Sequence, residues 1–144
     1  MSVRLDMKKS SGLAMSIEFR KCSYEYLQSL LSSSFWTLAW NIIDKEYAFS
    51  EEWQSYTYAI SVDNQSGSIA LINYQINPDS SVQINKFEVA SKYRNRGYGE
   101  AIFHLFIERF IVGKHNIIRV IPLSEEAEAF WKKMGFSDEG VLKL

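Results

Sequence analysis

Two periods organise the chain. From Ser16 to Arg20 apolar and polar residues alternate, as expected of a strand with one buried face. Ser23 then stands as an N-cap before Leu27, Leu30 and Leu31, whose spacing predicts a helix over 24–31. Phe35, Trp36, Leu38, Ala39, Trp40, Ile42 and Ile43 predict a dense apolar helix ending by Phe49, with Ser50, Glu51 and Glu52 as solvated punctuation. Tyr56 to Val62 and Ser68 to Ile76 are β-branched and aromatic runs separated by the turn cluster Asp63-Asn64-Gln65-Ser66-Gly67. A second cluster, Asn77-Pro78-Asp79-Ser80-Ser81, leads into an alternating run from Val82 to Ala90, so three successive strands form an antiparallel meander. Ile102, Leu105, Phe106, Arg109 and Phe110 recur at helical spacing as far as Gly113. Ile117 to Ile121 predicts another strand, Ser124 caps a short helix with Glu125 and Glu126 in its first turn, and Val141 to Leu144 is a last short strand.

Composition narrows the class. With 144 residues and 47% hydrophobic content, the chain has enough apolar side chains for one core. Residues 15–144 are expected as a single domain, with 1–14 as a flexible leader or expression remnant ahead of Met15. A formal net charge of -1, with lysines and arginines dispersed, disfavours a nucleic-acid partner. No run reaches the ~20 apolar residues that span a bilayer, and no export signal is read, so neither a membrane partner nor secretion is expected. The single cysteine, Cys22, allows no internal disulfide and reads as a small core hydrophobe; a cytoplasmic location is expected. Two histidines, His104 and His115, and one cysteine form no metal-ligand cluster, so no metal is expected.

The candidate chemistry lies at Arg94-Asn95-Arg96-Gly97-Tyr98-Gly99, between the run 82–90 and a helix starting near Glu100. Two glycines one residue apart let the backbone turn tightly and approach a ligand, while the helix start presents unpaired N–H groups and a partial positive charge. Those are the elements of a phosphate cradle. Neither the dinucleotide fingerprint nor the P-loop pattern is met, because Glu100 and Ala101 follow Gly99. A second block, Ala127-Glu128-Ala129-Phe130-Trp131-Lys132-Lys133-Met134-Gly135-Phe136, follows the β-rich run from Asn116 to Pro122.

Together the two blocks resemble the GNAT superfamily of N-acetyltransferases, from about Met15 to the C-terminus. Arg94, Gly97 and Gly99 match its Arg/Gln-x-x-Gly-x-Gly/Ala motif, and Ala127, Phe130, Gly135 and Phe136 match Ala-x-x-Phe-Tyr-x-x-x-Gly-Phe. The resemblance implies an α/β (α+β) fold, a mostly antiparallel mixed sheet flanked by about four helices. It implies acetyl-CoA as co-substrate, with Arg94, Asn95, Arg96, Gly97, Tyr98, Gly99 and the N–H of Glu100 around the pyrophosphate. Backbone groups of Phe87 and Val89 would hold the pantetheine arm, and an N–H would polarise the thioester carbonyl. The implied acceptor is a small-molecule or peptide amine, and a homodimer is left open.

Two departures bear on proton transfer. Family members often carry a carboxylate or histidine at positions matching Gln83 or Asn85, and an amide cannot act as a base. Glu88 is the only carboxylate on that strand, and strict alternation puts it on the opposite face unless a bulge shifts the register. The family's acid tyrosine is replaced by Trp131, expected to pack against pantetheine or line the acceptor site; Tyr93 or Tyr98 as substitute, water, or unaided departure of the coenzyme A thiolate stay open. Glu88 and Tyr98 are thus the catalytic candidates. Catalysis by direct attack of an amine and a non-catalytic acyl-CoA-binding module both stay open.

Overall fold

Sheet pairing runs through the chain in sequence order. The computed structural model describes residues 2–8, 14–33, 35–36, 49, 52, 54–63, 67–122 and 124–144. The strands are β1 (Ser2–Lys8), β2 (Ala14–Lys21), β3 (Ser55–Val62), β4 (Ala70–Ile76), β5 (Val82–Val89), β6 (Ile117–Val120) and β7 (Val141–Lys143), in a seven-stranded sheet of order β1-β2-β3-β4-β5-β6-β7. Every neighbouring pair is antiparallel except β5 and β6. This mixed sheet with helices is the expected fold class.

The segment expected as a leader contains β1, which pairs with β2 from Ser2↔Arg20 to Lys8↔Ala14. The physical reason is visible in its residues: Val3, Leu5 and Met7 alternate with Arg4, Asp6 and Lys8, a period of two, and the edge of β2 offers unsatisfied backbone groups.

Three α-helices are described: α1 (Tyr24–Leu30), α2 (Tyr98–Phe106) and α3 (Glu125–Lys133). Both serine caps form as expected, Ser23 Oγ accepting from the Tyr26 N–H at 3.1 Å and Ser124 Oγ from the Ala127 N–H at 3.1 Å. Beyond Phe106 the α2 helix widens into a π-helical turn, Ile107–Ile111, closed by Val112 N–H donating to the Ile107 carbonyl at 2.9 Å. The helix expected between Phe35 and Phe49 lies outside the described residues, save Phe35, Trp36 and Phe49 themselves.

Strand alternation sorts the core into two layers. Ile60, Ile72, Tyr74, Val82 and Ile84 pack with Ile102, Phe103, Phe106 and Trp131 of α2 and α3. On the other face Ala59 and Leu71 meet Cys22 and Leu27, with Trp36 and Phe49 packed alongside. Cys22 therefore sits in the smaller core, and burial pushes its thiol pKa from 9.0 up to about 12. A thiol held protonated is a poor nucleophile, so iodoacetamide should leave native Cys22 unmodified near pH 8 and alkylate it promptly in denaturant. Equal rates in both states would contradict this placement.

Candidate functional site

The decisive geometry begins where β5 loses its second partner. β5 pairs with β6 only over Val82↔Ile118, Gln83↔Arg119 and Ile84↔Val120, while β5 itself runs on to Val89. Ala90 N–H donates to the Ile69 carbonyl at 2.8 Å, one step beyond the Ala70↔Val89 pair. Val89 and Ala70 thus form a non-hydrogen-bonded pair, and by alternation so do Phe87 and Ile72. The N–H and C=O groups of Phe87 and Val89 therefore point away from β4, into the gap where β6 has ended.

A cleft of about 710 Å³ fills that gap, lined by the β5 segment Ile84 to Val89, by Ile121 and Pro122 after β6, by the turn before α2, and by Ala127, Phe130 and Trp131 of α3. Tyr93, Arg94, Asn95, Gly97, Tyr98, Gly99 and Glu100 all belong to its wall, so the structure brings together nearly all the cofactor residues expected from the sequence. Arg96 is the exception; its guanidinium stands 5.9 Å from the Tyr93 ring centroid, outside the wall.

The turn is built as its glycines predict. Gly97 caps α2 with φ 81° and ψ 3°, the left-handed region, and Asn95 also has a positive φ of 63°. The first bond within the helix is Ala101 N–H to the Gly97 carbonyl at 3.2 Å, leaving the N–H groups of Tyr98, Gly99 and Glu100 without helical partners. Gly97 faces open space, so it serves conformation and not clearance. Gly99 serves packing, since a Cβ there would meet Phe130 Cε1 at 3.3 Å and Val89 Cγ2 at 3.6 Å.

The charged side chains are mostly engaged. Glu100 turns away from the helix start to Lys133 Nζ at 3.1 Å and His104 Nε2 at 3.7 Å, and the Lys133 contact lowers its carboxyl pKa. His115 Nδ1 lies 2.7 Å from the Ser80 carbonyl, a structural contact away from the cleft. Arg94 reaches back to β5: its Nη2 is 2.6 Å from Glu88 Oε2, and its Nε donates to the Val89 carbonyl at 3.0 Å.

A β-bulge decides where Glu88 points. Asn73 opposes Lys86 and Tyr74 opposes Ile84, so Asn85 is the extra residue on β5. Ile84 before the bulge, and Phe87 and Val89 after it, all pack toward α2 and α3. Glu88 consequently shares the face of Gln83 and Asn85, the outcome strict alternation excluded. The polar doublet Asn85-Lys86, which interrupts the alternation, is the sequence signal for it. That face carries a hydrogen-bonded amide network joining Gln83, Asn85, Asn73 and Gln75, which sequence reasoning did not anticipate.

A family model described as Acetyltransferase (GNAT) family matches residues 23–136. The chain belongs to the acetyltransferase (GNAT) family. None of the curated proteins matches it. Among solved structures, the PaiA N-acetyltransferase of Thermoplasma acidophilum in complex with coenzyme A aligns at TM-score 0.62 and 19% identity, covering 89% of this chain and 99% of that one. An acetyltransferase from Thermus thermophilus aligns at TM-score 0.65 and 11% identity, covering 89% and 97%. The spermidine N-acetyltransferase SpeG chimera from Vibrio cholerae and hSSAT aligns at TM-score 0.64 and 14% identity, covering 86% and 82%. At these identities the likeness is one of fold. Among the described residues no helix is long and apolar enough to cross a membrane.

Trp131, the residue in the acid tyrosine's place, is 7% exposed, with its ring 5.9 Å from Phe87, 5.2 Å from Phe103, 4.9 Å from Phe130 and 5.2 Å from Phe136. Such a ring is a packing element of the cleft floor. Trp131→Ala should cost about 3–5 kcal/mol in urea unfolding, whereas Trp131→Phe should cost well under half of that. Equal losses would assign the indole a role beyond packing.

Proposed function

We propose that this protein is an acyl-CoA-dependent N-acetyltransferase in which an amine attacks acetyl-CoA bound in the cleft directly. The observation that carries the reading is the open edge of β5 meeting the left-handed Gly97 and the free N–H groups of α2 in one cleft. A pyrophosphate suits the helix start, where directed donors and the helix dipole need no long side chain to be ordered. An extended amide chain suits the outward N–H groups of Phe87 and Val89 and the Phe87 C=O, the Val89 carbonyl already accepting from Arg94 Nε. One of those N–H groups, aimed at a thioester carbonyl, would stabilise the tetrahedral oxyanion.

In this reading Asn95, Tyr98, Gly99 and the Glu100 N–H contribute to the cradle, and Trp131 floors the acyl end through packing. Arg94 braces the turn against β5, and Arg96 with Tyr93 adds positive potential at the rim. Glu88 acts through Arg94 as a positioning residue. The C–N bond forms first, giving the tetrahedral oxyanion, and the C–S bond breaks as it collapses; the amine proton passes to water, and the thiolate leaves without a protein acid. Tyr98 is thereby a binding residue, and a loss of ~10² or more in kcat for Tyr98→Phe would make it the acid instead.

Gly97→Asp tests the cradle. A Cβ there meets nothing within 4 Å and aspartate tolerates positive φ better than most residues, so the fold should persist. A carboxylate facing the phosphates should weaken coenzyme A binding in calorimetry by at least ~10-fold. Undiminished affinity with an unchanged circular dichroism spectrum would sink the assignment.

Glu88→Gln separates positioning from base catalysis. Losing the 2.6 Å pair with Arg94 should raise KM for acetyl-CoA while kcat stays within about threefold. A kcat loss of ~10² to 10⁴ with acetyl-CoA affinity retained would make Glu88 the general base. Thiol release with no amine in a broad panel, despite tight coenzyme A binding, would favour the non-catalytic module.

A further inference from the structure

The bulge on β5 also places a nucleophile in the cleft wall. Lys86 stands directly opposite Asn73 across the β4–β5 ladder, one residue past Asn85. Directly opposed residues of an antiparallel pair share a face, and Asn73 sends its side chain to Ser55 Oγ at 3.4 Å and Thr57 Oγ1 at 3.0 Å. The Lys86 side chain therefore leaves β5 on the amide face, away from the face on which Phe87 meets Phe130 and Trp131. It is half-buried and belongs to the cleft wall. The other lysine of that wall, Lys133, has a side chain 69% exposed and is paired with Glu100 Oε2 at 3.1 Å on the α2 side. Among the described residues Lys86 takes part in none of the ion pairs, and Glu88, two residues along its strand, lies 2.6 Å from Arg94 Nη2.

The direction of the bound cofactor sets where its thioester lies. Val89 is beside the start of α2, its Cγ2 3.6 Å from a Cβ placed on Gly99, and β5 parts from β6 just past Ile84↔Val120. With the pyrophosphate at the α2 N–H groups, the pantetheine arm runs along β5 from Val89 toward that parting point. Of the two outward N–H groups, that of Phe87 is nearer the parting point and so falls to the acyl end. Lys86 is its neighbour in the chain. A flexible four-carbon stem at that position carries an amine to the flank of the thioester opposite the aromatic floor.

We propose that Lys86 is a self-acetylation site: with acetyl-CoA bound and no external amine present, its neutral amine attacks the thioester of the cofactor in its own cleft. The proposal rests on the acetyltransfer reading. The C–N bond forms, giving a tetrahedral oxyanion that accepts from the Phe87 N–H; its collapse breaks the C–S bond, coenzyme A departs as the thiolate, and the amine proton goes to water. Only a small fraction of an ordinary lysine is neutral near pH 8, but a reactant held against its partner gains an effective concentration of ~10⁵ M or more, so that fraction suffices. The product is a neutral, bulkier amide in the cleft wall. A chain modified in this way loses a positive charge and some of the space beside the thioester, and it turns over external amines more slowly.

The test is incubation of the whole chain with acetyl-CoA near pH 8 and no amine, followed by thiol titration and peptide mapping by mass spectrometry. A single equivalent of thiol per chain should appear, with the acetyl group on Lys86. Its rate should exceed that at the exposed Lys114 and Lys143 by ~10² or more, saturate with acetyl-CoA, and not change with protein concentration. Added coenzyme A, or the Gly97→Asp substitution, should slow Lys86 by at least ~10-fold and leave the two exposed lysines unaffected. Lys86→Arg should abolish the single equivalent; the wild-type map decides alone should that variant not fold. Acetylation of Lys86 no faster than that of Lys114 and Lys143, and linear in acetyl-CoA, would overturn the proposal. If a panel of external amines were still turned over in that case, acetyltransfer itself would stand. Absence of thiol release with and without amines, with coenzyme A still bound, would overturn both.

Discussion

The cleft exists because β5 pairs with β6 over three residues and then continues alone. A strand inside a sheet spends its backbone on its two neighbours; from Asn85 to Val89 this one spends it on β4 only. The N–H groups of Phe87 and Val89 and the Phe87 carbonyl are left facing a space that none of the described strands fills, and α2 starts at the end of that space with N–H groups that have no helical partner. Every candidate role in the site follows from this one gap. Closing it by extending β6 would remove the edge, the cleft and the approach to the helix start together.

The bulge at Asn85 sits where the pairing with β6 ends, and it sets the chemistry of each wall. It carries Phe87 and Val89 to the helix side, where Phe87 meets Phe130 and Trp131 with ring centroids 5.9 Å apart in both cases. It also carries Lys86 and Glu88 to the amide side. One face of β5 is therefore apolar and aromatic, suited to a long thin ligand, while the other carries the hydrogen-bonded amides together with Lys86 and with Glu88 in its ion pair with Arg94. An amide network of this kind is rigid because each member fixes the orientation of the next, beginning from the Tyr56 carbonyl.

Much of this was legible in the residues. β-Branched and aromatic runs between turn clusters marked β3 and β4, and an alternating run marked β5, each to within two residues, and Ser23 and Ser124 cap the helices they were expected to cap, because these signals depend on neighbours close in sequence. Gly97 adopts the left-handed conformation its place in the turn required. The first strand was missed although Val3, Leu5 and Met7 alternate, since a run of seven residues next to lysines and a glycine reads equally well as a leader.

By itself the sequence determined the family, the order of the described strands and helices from β2 onward, the left-handed glycine turn before α2 and the tryptophan at Trp131 where the family motif has tyrosine, because each is written in adjacent residues or in a motif. Only the tertiary structure decided which way Glu88 points, that Arg94 holds it, that Arg96 stays out of the cleft wall, and that Asn73 and Gln75 orient Asn85. The reason is register. Side-chain direction on a strand flips with a single inserted residue, and a bulge is a property of two strands in contact, so β5 read alone cannot show it.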